Sequence, residues 1–129
     1  IIAQGANYGW PEVTGAEERS GFEPPVIQSG ADTWAPAGVA FVTRGPWAGS
    51  LLFAGLRGAA LFRLILDPAD PRGALSLEPS LRGQFGRLRD VFEAPDGSLY
   101  ILTSNRDGRG NPAPEDDRVL RVTVAQPSG

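Results

Sequence analysis

Arg87 and Arg89 flank Leu88 in the run Gly86-Arg87-Leu88-Arg89-Asp90-Val91. Two positions apart on a strand, their side chains leave the same face. A pair of guanidinium forks on one face is suited to gripping a ligand with several carboxylates, since each fork makes paired charge-assisted hydrogen bonds. The plainer alternative is a solvated strand face carrying two charges. Apolar stretches lie on either side of the Pro95-Asp96-Gly97 turn that follows, so the segment reads as a β-hairpin.

Other residues invite chemical readings that the local pattern argues against. Asp67 and Asp70 alternate with prolines in Asp67-Pro68-Ala69-Asp70-Pro71, a turn composition rather than a metal loop. Glu115-Asp116-Asp117 sits among Gly and Pro without the alternating ligand spacing of a calcium loop, and reads as a solvated loop. Asp90 is expected on the face opposite the arginine pair, pairing within its own sheet or capping a turn. Asn105-Arg106-Asp107-Gly108-Arg109-Gly110 has the glycines of a mobile surface loop, with no strand–loop–helix context for phosphate. Trp10 and Trp47 read as packing residues; Trp34 is open to either packing or stacking on a ligand ring.

The residue inventory removes several classes of function. The chain has 129 residues, no Cys, no His and no Met, and its 12 basic residues are all Arg. Thiolate metal sites and disulfides are therefore excluded from it, as is the commonest general base. A net charge of −3 and the lack of a basic face argue against a nucleic-acid partner. No apolar run approaches the roughly 20 residues of a membrane-spanning helix. The opening Ile1-Ile2-Ala3 is neither an initiator nor a signal peptide, and the chain is expected to be the downstream piece of a longer one.

What must position these side chains is β structure. Apolar alternation between Gly and Pro turns predicts strands at 38–43, 51–55, 60–66 and 74–81, then at 88–94, 99–104 and 118–124. The two sets are copies of one pattern: Val39 corresponds to Val91 and Leu51 to Leu99, a period of about 50 residues, near that of a β-propeller blade. The expected fold is all-β, a propeller fragment of about two to two and a half four-stranded antiparallel blades. Residues 1–29 would be the end of a preceding blade with connecting loops, 30–82 a complete blade, and 83–129 a last blade lacking its outermost strand. Such an edge calls for cover, from the rest of the propeller or from self-association.

In this order and spacing, Gly5-Ala6-Asn7-Tyr8-Gly9-Trp10-Pro11, Ala35-Pro36-Ala37-Gly38, Leu56-Arg57-Gly58 and Arg87-Leu88-Arg89-Asp90-Val91 with its Pro95-Asp96-Gly97 turn resemble the C-terminal part of the soluble glucose/sorbosone dehydrogenases, or aldose sugar dehydrogenases. The resemblance implies a six-bladed propeller that binds pyrroloquinoline quinone (PQQ) and calcium and oxidises an aldose at its anomeric carbon, passing electrons to an acceptor. It implies cofactor contacts at Arg87 and Arg89, at Arg57, where the family often has Lys, and at Thr33. Ala31 stands where some members place an aromatic, and Ala37 where Ser is frequent. The family's catalytic base is a His, absent here, and its calcium ligands are expected upstream of Ile1. Members imply a periplasmic or secreted location. From the residues alone, a non-catalytic propeller that binds ligands or proteins is the competing reading; a hydrolase propeller with a central metal is the weakest.

Overall fold

A computed structural model describes residues 2–70 and 72–125; Ile1, the Pro71 of the Asp67–Pro71 turn and the 126–129 tail lie outside the described residues. Residues 2–35 contain turns but no strand. Two antiparallel sheets follow. The first is β1 (Pro36–Phe41), β2 (Ser50–Gly55), β3 (Ala60–Leu66) and β4 (Ala74–Ser80), in the order β1-β2-β3-β4. The second is β5 (Leu88–Glu93), β6 (Leu99–Thr103) and β7 (Val119–Val122), in the order β5-β6-β7. No α-helix occurs among the described residues, and none is long and apolar enough to cross a membrane. The strand limits depart from the sequence expectation by one or two residues, as strand ends fray.

The sheets pack face to face, with β5 against β1 and β2. Their shared core is Val42, Leu52, Ala54 and Leu61 from one side and Leu88, Val91, Leu99 and Ile101 from the other. Each fully buried Leu or Ile contributes about 1.5–3 kcal/mol relative to exposure. Trp47 packs against this core, with the Arg63 guanidinium over its ring at 5.2 Å. Alternation gives the first sheet a second apolar face, where Phe53 and Phe62 are direct cross-strand partners stacked at 4.8 Å. Trp34 closes that face, 5.2 Å from Phe62 and 5.7 Å from Phe53.

The second sheet breaks simple alternation at its first strand. Leu88 pairs with Thr103 but Asp90 pairs with Leu102, so the register shifts by one across Arg89. This β-bulge lets Leu88 and Val91, three positions apart, both enter the core. β1 carries the same irregularity between Pro36 and Val39, at the corresponding place in the repeat. The arginine pair therefore does not sit on one regular strand face: Arg87 precedes β5 and Arg89 occupies the bulge.

Candidate functional site

The starts of β1, β3, β5 and β7 lie at one end of the two sheets, and their approach loops enclose an open cavity of about 970 Å³. The segment before β1 supplies Thr33 and Ala35, and the β2–β3 turn supplies Leu56, Arg57 and Ala59. The approach to β5 adds Gly83, Gly86 and Arg87, while the long β6–β7 loop adds Asn105, Arg109, Gly110 and Asn111. The β2–β3 turn is held in place by backbone bonds from Leu56, Arg57 and Gly58 to the carbonyls of Ala35 and Trp34.

Arg87 is the most constrained cation of this lining. Its Nε and Nη2 donate to Asp107 Oδ2 at 3.1 and 2.8 Å, and Nη1 lies 3.4 Å from the Leu56 carbonyl oxygen. Arg89 reaches the same carboxylate oxygen at 3.4 Å but is more open, its side chain 49% exposed against 14% for Arg87. Asp107 is further tied down by the Arg109 N–H, which donates to Oδ1 at 3.0 Å. That bond and then the Arg87 guanidinium hold the Asp107 carboxyl below its usual value, with the charges of Arg87 and Arg89 adding to the effect. Arg57 is exposed and makes no ion pair with a described carboxylate.

The backbone around Arg87 is fixed from below by Asn105, a buried amide. Its Oδ1 accepts from the Arg87 N–H at 2.8 Å; its Nδ2 donates to the Phe85 carbonyl at 2.9 Å and to Asp116 Oδ2 at 3.0 Å. Asp116 also accepts from the Ala113 N–H and from Arg118 Nε. The Ala113 bond leads the causes that lower its pKa, followed by Asn105 and Arg118. Gly86 and Gly110 leave room for this arrangement: a Cβ on Gly86 would lie 2.9 Å from Asn105 Cγ, and one on Gly110 would lie 3.0 Å from Arg87 Cδ.

Of the residues singled out from the sequence, Thr33, Arg57 and Arg87 line this one cavity, and Arg89 stands beside it through Asp107. Trp34 belongs to the aromatic cluster on the first sheet. Asp67 and Asp70 cap their own turns, accepting from the Ala69 and Arg72 N–H groups. Trp10 is 84% exposed among the described residues. Two readings are corrected. Asp116 is no solvated loop residue: its side chain is 2% exposed because the β6–β7 loop folds around it. Asp90 bonds within its own sheet as expected, its Oδ1 accepting from the Val91 N–H at 2.8 Å, but at the bulge it lies exposed like Arg89 instead of on an opposite, inward face. Asn105, Asp107 and Arg109 were hidden in what reads as a surface loop. The internal repeat was the available signal, because that loop occupies the place of the Arg57 turn one period earlier.

Among the described residues, no group of three or more His, Cys, Asp or Glu is arranged to hold a metal ion. The donor set of the cavity is cationic and amide-like, so it suits an anionic organic ligand and does not suit calcium.

Residues 1–120 match the family model for glucose / sorbosone dehydrogenase. The aldose sugar dehydrogenase YliI of Escherichia coli is 31% identical over 125 residues, which is 84% of this chain and 32% of that protein. An uncharacterized Synechocystis protein is 32% identical, over 84% of this chain and 29% of its own length. Among solved structures, a putative oxidoreductase (glucose dehydrogenase) from Thermus thermophilus superposes with TM-score 0.80 at 45% identity, covering 94% of this chain and 35% of that one. The PQQ-bound aldose sugar dehydrogenase of Streptomyces coelicolor gives TM-score 0.79 at 42% identity, over 91% of this chain and 33% of that one. The chain thus spans about a third of the length of the proteins it matches. Its two antiparallel sheets match propeller blades of these structures, and the chain belongs to the glucose/sorbosone dehydrogenase family.

Proposed function

We propose that this chain forms one wall of the cofactor site in a quinone-dependent aldose sugar dehydrogenase. The observation that carries the reading is the meeting of Thr33, Arg57 and Arg87, from three separate loops, on one cavity at one end of the sheets. Its volume lies within the usual range for small-molecule sites, about 300–1,000 Å³. PQQ bears three carboxylates, and a lining with guanidiniums from Arg57, Arg87 and Arg109 and one hydroxyl from Thr33 offers donors to them. The relation to a PQQ-bound aldose sugar dehydrogenase supports the same ligand.

In this reading PQQ, when bound, would supply the two-electron oxidising chemistry for the anomeric carbon of an aldose. The residues of this chain bind and orient: Arg57 and Arg87 hold carboxylates, Thr33 donates its hydroxyl, and Arg89 adds positive charge from the side. The base that the family resemblance implies is a His, and the sequence has none, so in this reading the proton acceptor and any calcium ligands come from other parts of the protein. The edge of β7 is taken by a strand from the rest of the propeller, electrons leave to a separate acceptor, and the protein works in the periplasm or outside the cell.

Titration of the intact protein with PQQ tests this. Arg87→Ala is expected to weaken binding by about 1.5–3 kcal/mol, the worth of a hydrogen bond to a charged group. Unchanged affinity in that variant, with the wild type binding, would remove Arg87 from the site; a wild type that does not take up the quinone would end the proposal.

A further inference from the structure

We infer that Asp107 is a positioning residue for the quinone site, acting through Arg87. The inference rests on the reading that this end of the sheets receives the cofactor's carboxylates. One carboxylate oxygen of Asp107 receives both Nε and Nη2 of Arg87, at 3.1 and 2.8 Å, which fixes the plane and rotation of the guanidinium. The remaining Nη1 is thereby left on the side of Leu56, itself a lining residue of the cavity. The other oxygen of Asp107 accepts from the Arg109 N–H at 3.0 Å, so the carboxylate has an anchor independent of Arg87. Asp107 also stands within 3.4 Å of Arg89, placing a negative charge between two guanidiniums that would otherwise repel.

An acid beside a polyanion site has two opposed effects, which makes the role separable. As a simple countercharge, Asp107 would weaken the attraction for a tricarboxylate, and its removal would tighten binding. As the group that orients Arg87, its removal lets the guanidinium rotate and weakens binding despite the gain in positive charge.

The test is equilibrium titration of the intact protein with PQQ, for wild type, Asp107→Ala, Asp107→Asn, Arg87→Ala and the Arg87→Ala/Asp107→Ala double variant, with thermal melting of each. Asp107→Ala is expected to raise Kd roughly tenfold. Asp107→Asn, which keeps an acceptor and the turn but loses the charge, is expected to fall between it and the wild type. In the Arg87→Ala background, loss of Asp107 should cost no further affinity. Should Asp107→Ala fail to fold, the Asn variant carries the comparison. Tighter or unchanged binding in the folded Asp107 variants, or an effect that persists without Arg87, overturns the inference and leaves the quinone site standing. Absence of binding by the wild type overturns both.

Discussion

Gly38 and Asp90 meet where the innermost strands of the two sheets touch, β1 against β5. A Cβ built on Gly38 would lie 2.6 Å from the Asp90 Cα, and its side chain would run into the Asp90 carboxylate. The sheets therefore approach backbone to backbone at this point, beside both bulges. Asp90 Oδ1, the atom nearest that Cβ, accepts from the Val91 N–H at 2.8 Å, which holds the carboxylate at the junction.

Substituting Gly38 should open the junction between the sheets. The contact is with backbone, which cannot rotate away, so Gly38→Val is expected to cost at least the 1–3 kcal/mol typical of overpacking. Chemical unfolding of the intact protein measures it. A loss below about 0.5 kcal/mol, the range of ordinary surface changes, would mean that the sheets do not meet at this position.

The core between the sheets makes a second, independent prediction. Ile101 is fully buried on the central strand of the second sheet, with Leu88, Val91, Leu52 and Leu61 in the same cluster. Ile101→Ala should cost about 2–5 kcal/mol, the transfer loss plus the cavity left behind. Denaturant melts should show a lower midpoint with an unchanged slope. A cost near that of a surface change would mean that Ile101 is solvated in the working protein.

Most of this architecture is legible in the sequence, since alternation between Gly and Pro turns marks each strand and the repeat of about 50 residues marks the sheets. The bulges were not. In Leu88-Arg89-Asp90-Val91, alternation assigns Leu88 and Val91 to opposite faces, and only a local register shift lets both be buried. Long-range side-chain-to-backbone bonds escaped for a different reason. Glu93 receives the Thr43 N–H and hydroxyl and the Arg44 N–H, clamping the end of β1 from the neighbouring sheet, and nothing about a lone Glu announces that. The same holds for Asn105, whose importance comes from burial beneath Arg87 rather than from its neighbours in sequence.

These clamps predict an acid limb in the stability curve. Hydrogen bonds from Thr43 hold the Glu93 carboxyl below its ordinary value; Asp96 is lowered by Ser98 and Arg121, Asp107 by Arg109 and Arg87, and Asp116 by Ala113, Asn105 and Arg118. A carboxyl with a lowered folded-state pKa stabilises fully above its unfolded value. That contribution is lost as pH falls through the folded value, because the unfolded chain then binds more protons. The loss should begin near the usual carboxylate range, about pH 4, and deepen below it. Unfolding free energies measured from about pH 7 to about pH 3 should fall, and Glu93→Gln should flatten the limb. A curve of the same steepness in that variant would show that Glu93 does not carry part of it.

Arg57 separates ligand binding from stability more cleanly than any other residue of the cavity. It is exposed, and no described carboxylate pairs with it, so its removal leaves no buried group unsatisfied. Arg57→Ala should change the unfolding free energy by less than about 0.5 kcal/mol. In a quinone titration the same variant should lose about 1.5–3 kcal/mol of affinity if its fork holds a carboxylate. Arg57→Lys should recover part of that loss, since it keeps the charge but replaces two coplanar donors with a point ammonium. Full recovery by Lys would show that charge alone matters at this position, and no loss in the Ala variant would place Arg57 outside the binding surface. Alanine weakening binding without lowering the melting temperature, with Lys between it and the wild type, is the outcome that requires the planar fork.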